Sequence, residues 1–194
     1  MENLIPVPQL LEIGATGRNS GKTFFAKDII ARYKDEHKIV ALKIITIRGK
    51  RGVCQRGEEG CGICTSISDG YELIEEKNAR GKKDTMEMLK SGCDRVFMLK
   101  AFEDSLVDGF KAFLEEVGNE CMIICESNSL RKYIQPGQFV MINNQRGVKK
   151  SAKEVIDMAD FVVETAMVED SELTAEIVQS DGGLTWKKAV KLSA

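Results

Sequence analysis

The fold turns on residues 9–23, Gln9-Leu10-Leu11-Glu12-Ile13-Gly14-Ala15-Thr16-Gly17-Arg18-Asn19-Ser20-Gly21-Lys22-Thr23. Gln9 to Ile13 reads as a short apolar strand, and Phe24 to Tyr33 places apolar residues at 24, 25, 29 and 30, the spacing of a helix. Between them lies a glycine loop ending in Gly21-Lys22-Thr23, the close of the pattern G-x-x-x-x-G-K-[ST]. Thr16 stands where the pattern has its first glycine, but Gly14 and Gly17 flank it and give the backbone similar freedom. In such a loop the backbone N–H groups of Gly17, Arg18, Asn19, Ser20 and Gly21, with the helix N-terminus, cradle a β-phosphate. Lys22 neutralises β/γ charge there, and the Thr23 hydroxyl holds Mg²⁺. A lysine in a first helical turn opposes the helix dipole, which a bound anion would explain. The competing reading is an ordinary glycine-rich turn.

Outward from the loop, Lys38 to Ile45 is rich in β-branched residues, as in a strand buried on both faces. Further strands are expected at Arg95 to Leu99, Cys121 to Cys125, Gln138 to Ile142 and Asp160 to Glu164. Helices are expected at 71–79, 84–91, 104–117 and 151–158. This alternation implies an α/β fold with a mainly parallel sheet and helices on both faces. Around Ser180-Asp181-Gly182-Gly183, residues 174–187 read as a C-terminal hairpin. One domain, 1–194, accounts for the length.

Apolar residues make up 43% of the chain and charged residues 30%, with a net charge of -2. That balance supports a folded core and argues against holding nucleic acid or acidic membranes by bulk charge. With no apolar run approaching a membrane span and no basic secretory start, a cytoplasmic location is expected.

A core strand that ends in an acid can hold the magnesium shell or orient a water, and Cys121-Met122-Ile123-Ile124-Cys125-Glu126 supplies Glu126; the alternative is a solvated strand-end carboxylate. Asn143-Asn144-Gln145-Arg146, just past a strand, is the nearest candidate for touching a base, and Asn143 leads it; a polar turn explains it equally well. Residues 48–70 carry six glycines and three cysteines without periodicity and form a Cys/Gly-rich insertion. Cys54, Cys61 and Cys64 offer three thiolates for Zn²⁺ or a softer metal, with a redox pair or chance as alternatives. The insertion leaves the second strand where nucleotide-sensing segments of such folds lie, so a metal there would couple to the γ-phosphate. Cys121 and Cys125, four apart in an apolar strand, read as small core hydrophobes.

Beyond the loop, Ile39-Val40-Ala41-Leu42-Lys43, the segment from Gly81 to Cys93, the strand ending at Glu126 and Ala159-Asp160-Phe161-Val162-Val163-Glu164 follow the order seen in the molybdopterin-guanine dinucleotide biosynthesis protein B family, which this chain resembles over about residues 9–164. The resemblance implies a P-loop NTPase of the class that includes dethiobiotin synthetase and the metal-insertion GTPases. It implies Mg²⁺ with GTP or ATP, a homodimer, and service to molybdenum cofactor assembly, with a molybdopterin-type cofactor and a molybdoenzyme maturation partner. It makes Lys22 and Thr23 the phosphate and Mg²⁺ contacts, Lys43 the strand-end lysine, Asp84 the acid ahead of a small-residue turn, and Glu126 the strand-tip acid. Ile44 stands where the family has histidine, and Glu126-Ser127-Asn128-Ser129 where it has Glu-Gly. Two other activities share the class: a metallochaperone GTPase carrying metal on Cys54, Cys61 and Cys64, and an ATP-dependent ligase like dethiobiotin synthetase.

Overall fold

In the computed structural model the described residues are 4–48, 67, 70–167, 173–180 and 182–190. Cys54, Cys61 and Cys64 lie outside them. Seven strands form one sheet: β1 (Ile5–Ala15), β2 (Ile39–Ile47), β3 (Tyr71–Glu75), β4 (Arg95–Phe102), β5 (Met122–Glu126), β6 (Ile134–Asn143) and β7 (Phe161–Glu164). Their order across the sheet is β3-β4-β2-β5-β1-β6-β7, and every pairing is parallel except β3 with β4. The helices are α1 (Lys22–Tyr33), α2 (Asp84–Lys90), α3 (Leu106–Val117) and the single turn α4 (Lys150–Lys153). Two further strands, β8 (Leu173–Ser180) and β9 (Gly183–Val190), form the expected C-terminal hairpin, with Ser180 opposite Gly183. Among the described residues no helix is long and apolar enough to cross a membrane.

Strand alternation assigns the two cores. Leu11, Ile13 and Ala15 of β1 face α1, where Phe25, Ala26, Ile29 and Ile30 are fully buried, and Trp186 of the hairpin joins them. Leu10 points the other way, toward Phe110 and Phe113 of α3 and the Cys121 and Cys125 side chains. These two cysteines are core residues as their spacing indicates, and burial pushes both thiols above their ordinary pKa.

β1 starts earlier than its sequence suggests, because Pro6 and Pro8 precede the part that pairs on both edges. β5 pairs only Leu10 to Ile13, and the β6 register shifts between Val7 and Leu11, so the prolines fall where a missing ladder donor is tolerated. Two expectations are corrected. Residues 71–79 are not a helix: Tyr71–Glu75 is an edge strand antiparallel to β4. The helix expected at 151–158 is the short α4 followed by a 3-10 turn at Ile156–Met158.

Glu12 is the one fully buried carboxylate of β1, with Cys125 and Phe139 as its strand neighbours. Its Oε1 accepts the Arg131 N–H at 3.0 Å, while Oε2 has no partner among the described residues. Burial raises its pKa well above 4.5, and the Arg131 charge only partly opposes the shift. The folded state therefore holds this proton more tightly than the unfolded chain. The associated stability is present below the unfolded pKa and is lost as pH rises through the folded one. Glu12→Gln, which mimics the protonated group, should gain thermal stability relative to the native chain as pH rises from 5 to 8, measured by melting curves at each pH. An advantage that shrinks over that range contradicts the assignment.

Candidate functional site

The glycine loop leaves the C-terminal end of β1 and enters α1 through Gly21, whose φ of 86° is left-handed, so glycine is needed there. Gly17 is needed for a different reason: a Cβ on it would lie 2.2 Å from Asn144 Nδ2. From Gly17 to Thr23 the backbone N–H groups have no hydrogen-bond partner among the described residues. A row of unpartnered donors at a helix N-terminus is the arrangement that receives phosphate oxygens. The loop bounds a cavity of about 260 Å³, lined by Asn19, Ser20, Gly21, Lys22, Thr23, Phe24 and Asp84.

Thr16 holds the loop in place. It is fully buried, and its Oγ1 accepts the Asn144 N–H at 3.1 Å. Its single hydroxyl proton has Asn143 Oδ1 and Asn144 Oδ1 within reach, each at 3.2 Å. The Thr16 N–H donates to Ile142 O, and its carbonyl accepts the Lys149 N–H, both at 2.9 Å. A glycine here would keep the two backbone bonds and lose the side-chain ones. On the other side, Asn128 closes on Ala15 twice, accepting its N–H at 2.9 Å and donating to its carbonyl at 3.0 Å. Thr165 Oγ1 lies 3.2 Å from Ser20 O and 3.1 Å from Asn143 O.

Charged groups gather in front of the loop. Adjacent parallel strands set Lys43 directly beside Glu126. Thr23 Oγ1 donates to Glu126 Oε1 at 2.8 Å; Lys43 Nζ forms an ion pair with Asp84 and lies 3.4 Å from Glu126 Oε2. Lys22 is the second cation: burial lowers its pKa, the Glu126 charge counters that, and Lys43 adds to it. Lys22, Thr23, Lys43, Asp84 and Glu126 thus lie together in front of the loop. A hydroxyl and a carboxylate 2.8 Å apart at the tip of β5 are hard oxygen donors of the kind Mg²⁺ takes, with phosphate and water completing its shell. Asn143 lies at the edge of this group, and its amide is already engaged, accepting the Gln145 N–H at 3.1 Å and donating to Glu164 at 3.0 Å.

Three contributors escape sequence reading. Asn128 and Thr165 act through backbone contacts that no motif marks. Lys149 had a signal, since it opens the Lys149-Lys150 doublet at a helix start, the same dipole conflict that marks Lys22. Although Lys149 as a residue is exposed, loss of water around its ammonium, reinforced by Lys22 and Arg18, brings its pKa down to about 8.

A strand, phosphate-type loop and helix at the centre of a parallel sheet is the architecture of the P-loop NTPase class. No protein-family model matches the chain, and no curated protein matches it. Among solved structures, the crystal structure of "apo" form LpxK from Aquifex aeolicus in complex with ATP is similar at 19% identity and a TM-score of 0.49, over 91% of this chain and 56% of that one. The chain therefore spans little more than half the length of that protein.

Removing the hydroxyl of the fully buried Thr16 leaves the half-buried Asn144 N–H without its acceptor, so Thr16→Gly, which restores the pattern's glycine, should destabilise the protein by about 1–3 kcal/mol in urea unfolding. Unchanged stability would mean that the hydroxyl does not anchor the loop.

Proposed function

We propose that this chain binds a Mg²⁺-nucleoside triphosphate, GTP or ATP, on its glycine loop and cleaves the γ-phosphate slowly. The observation that carries this is the joint one of unpartnered loop N–H groups and the Thr23–Glu126 contact facing Lys22 and Lys43. Phosphoryl transfer asks mainly for positioning and charge stabilisation. The loop N–H groups would hold the β-phosphate oxygens, and Lys22 would answer the β/γ charge. Thr23 and Glu126 would hold Mg²⁺, which when bound neutralises charge on the phosphates. Lys43, held by Asp84, would stand beside the γ-phosphate with its ammonium oriented. Glu126 would accept a hydrogen bond from the attacking water, either directly or within the metal's shell.

At a finer level, we assign the activity to a homodimeric accessory protein in assembly or insertion of a molybdopterin-type cofactor. This rests on the ordered resemblance of residues 9–164, including the Lys43, Asp84 and Glu126 positions. Release of GDP and phosphate on mixing with a molybdopterin-loaded client, above the rate without client, supports it; indifference to the client removes it.

Two variants separate binding from turnover. Lys22→Ala should weaken Mg²⁺-nucleotide affinity at least tenfold, about 1.4 kcal/mol, with little change in ligand-free thermal stability. Equal affinity in the two proteins would end the nucleotide reading. Glu126→Gln should keep nucleotide and lose phosphate release in single-turnover assays, because an amide preserves shape and removes the charge. Undiminished release would transfer that role to another carboxylate, with Asp84 the first to test.

A further inference from the structure

A second and larger cavity, about 480 Å³, opens on the other side of the loop, between the ends of β2 and β5 and the start of α4. Its volume lies in the range of small-molecule sites, whereas the loop cavity falls just below that range. The two share a wall: Arg18 lines the larger cavity and Asn19, the next residue, the smaller. Asn128, on its floor, is bonded to Ala15, and Lys149, on its rim, donates its N–H to Thr16 O, so both are fixed to the loop itself.

The lining is cationic in a chain whose net charge is -2. Arg18, Arg48, Lys149 and Lys150 face it, and no aspartate or glutamate lines it among the described residues. Arg48 is held in place by Glu154 at 2.8 Å and Glu103 at 3.6 Å. Arg18, Lys149 and Lys150 have no carboxylate partner among the described residues. By contrast, Lys43, Lys100 and Lys132 each pair with a carboxylate. The Ser129 and Ser151 hydroxyls also line the cavity and make no hydrogen bond among the described residues. Like charges left unpaired around one concavity repel one another, and a bound anion removes that cost. No aromatic side chain lines the cavity among the described residues, which disfavours a stacked base as its occupant.

We propose that this cavity binds a small organic polyanion, one carrying anionic oxygen groups such as carboxylate and phosphate, beside the γ-phosphate end of the nucleotide site. The nucleotide as its neighbour rests on the reading given above; the anion site stands on the cavity's own lining. Arg18 and Lys149 serve the edge nearest the loop, Arg48 and Lys150 the far edge, and the two serines supply donors between them. A polymer is excluded by the size of the concavity, and a bulk-charge surface by the overall balance.

The test is calorimetric titration of 3-phosphoglycerate, which carries both anionic groups, with glycerol as the neutral control. It is run at fixed ionic strength on the free protein and on protein saturated with Mg²⁺ and a non-hydrolysable triphosphate. The expected result is phosphoglycerate binding in both states and none for glycerol. Lys150→Glu and, separately, Ser151→Asp should each weaken phosphoglycerate at least tenfold and alter triphosphate affinity less than twofold. Loss of phosphoglycerate binding once the triphosphate is bound would place the probe on the glycine loop and overturn the proposal. So would no binding in either state, or binding indifferent to both variants. Failure of the triphosphate to bind would defeat the nucleotide reading instead, and the free-protein titrations with the two variants would still decide the cavity.

Discussion

A run of backbone N–H groups with no partner among the described residues is costly unless something else satisfies it, and in this protein the run from Gly17 to Thr23 organises its surroundings. The loop cannot collapse onto itself to satisfy them, because its neighbours hold it open. Asn128 fastens Ala15, Thr16 is tied to Ile142 and Asn144, and Thr165 reaches Ser20. These clamps come from just past β5 and β6, the strands that flank β1 on either side, and from the segment after β7 at the sheet edge. Sheet order is therefore a functional property: only a central β1 can be gripped from both sides.

The same geometry sets the charges. Parallel neighbours β2 and β5 bring Lys43 and Glu126 to the same level, and α2 delivers Asp84 from beyond the sheet. One ammonium between two carboxylates leaves a net negative group in front of the loop, which Lys22 and the hydroxyl of Thr23 then face. With Glu126 almost wholly buried, its charge is screened little, so its effect on Lys22 opposes the desolvation that depresses that lysine. Positive charge is placed on the opposite flank, where Arg18 and Lys149 repel one another. The loop thus separates a mixed-charge, metal-fitting side from a purely cationic one.

Most of this architecture was legible because the controlling signals are local: the Gly21-Lys22-Thr23 ending, the β-branched run of β2, and an acid closing the β5 stretch. What was illegible depended on tertiary partners. Tyr71-Glu72-Leu73-Ile74-Glu75 has good helix formers, yet β4 converts its charges into cross-strand pairs, Glu72 with Lys100 at 2.9 Å and Glu75 with Arg95 at 2.8 Å. Tyr71 and Leu73 then face α3, where Gly109 allows close approach, a Cβ there meeting Leu99 at 2.7 Å. Thr16 looked like a defect in a pattern because its hydroxyl partners lie more than a hundred residues away. Lys149 carried a local signal, the lysine doublet at a helix start, but its charge conflict with Arg18 and Lys22 exists only in the fold.

The hairpin is best understood through the helix it covers. α1 must keep its N-terminus aimed at the loop, yet it is gripped by the sheet on one face only. Trp186 is fully buried against that helix, and its ring meets Tyr33 edge-on at 5.7 Å, while the Tyr33 hydroxyl donates to Ala175 O at 3.0 Å. The hairpin is fastened in turn to β1, since Thr185 Oγ1 donates to Pro8 O at 2.9 Å where the β1 register shifts. Gly137 permits this crossing, because a Cβ there would lie 2.0 Å from the same carbonyl. Strand and helix, the two elements that present the loop, are thereby bridged a second time at the end remote from it. A rigid loop needs both of its supports fixed relative to each other, and sheet packing fixes them at one end while the hairpin fixes them at the other.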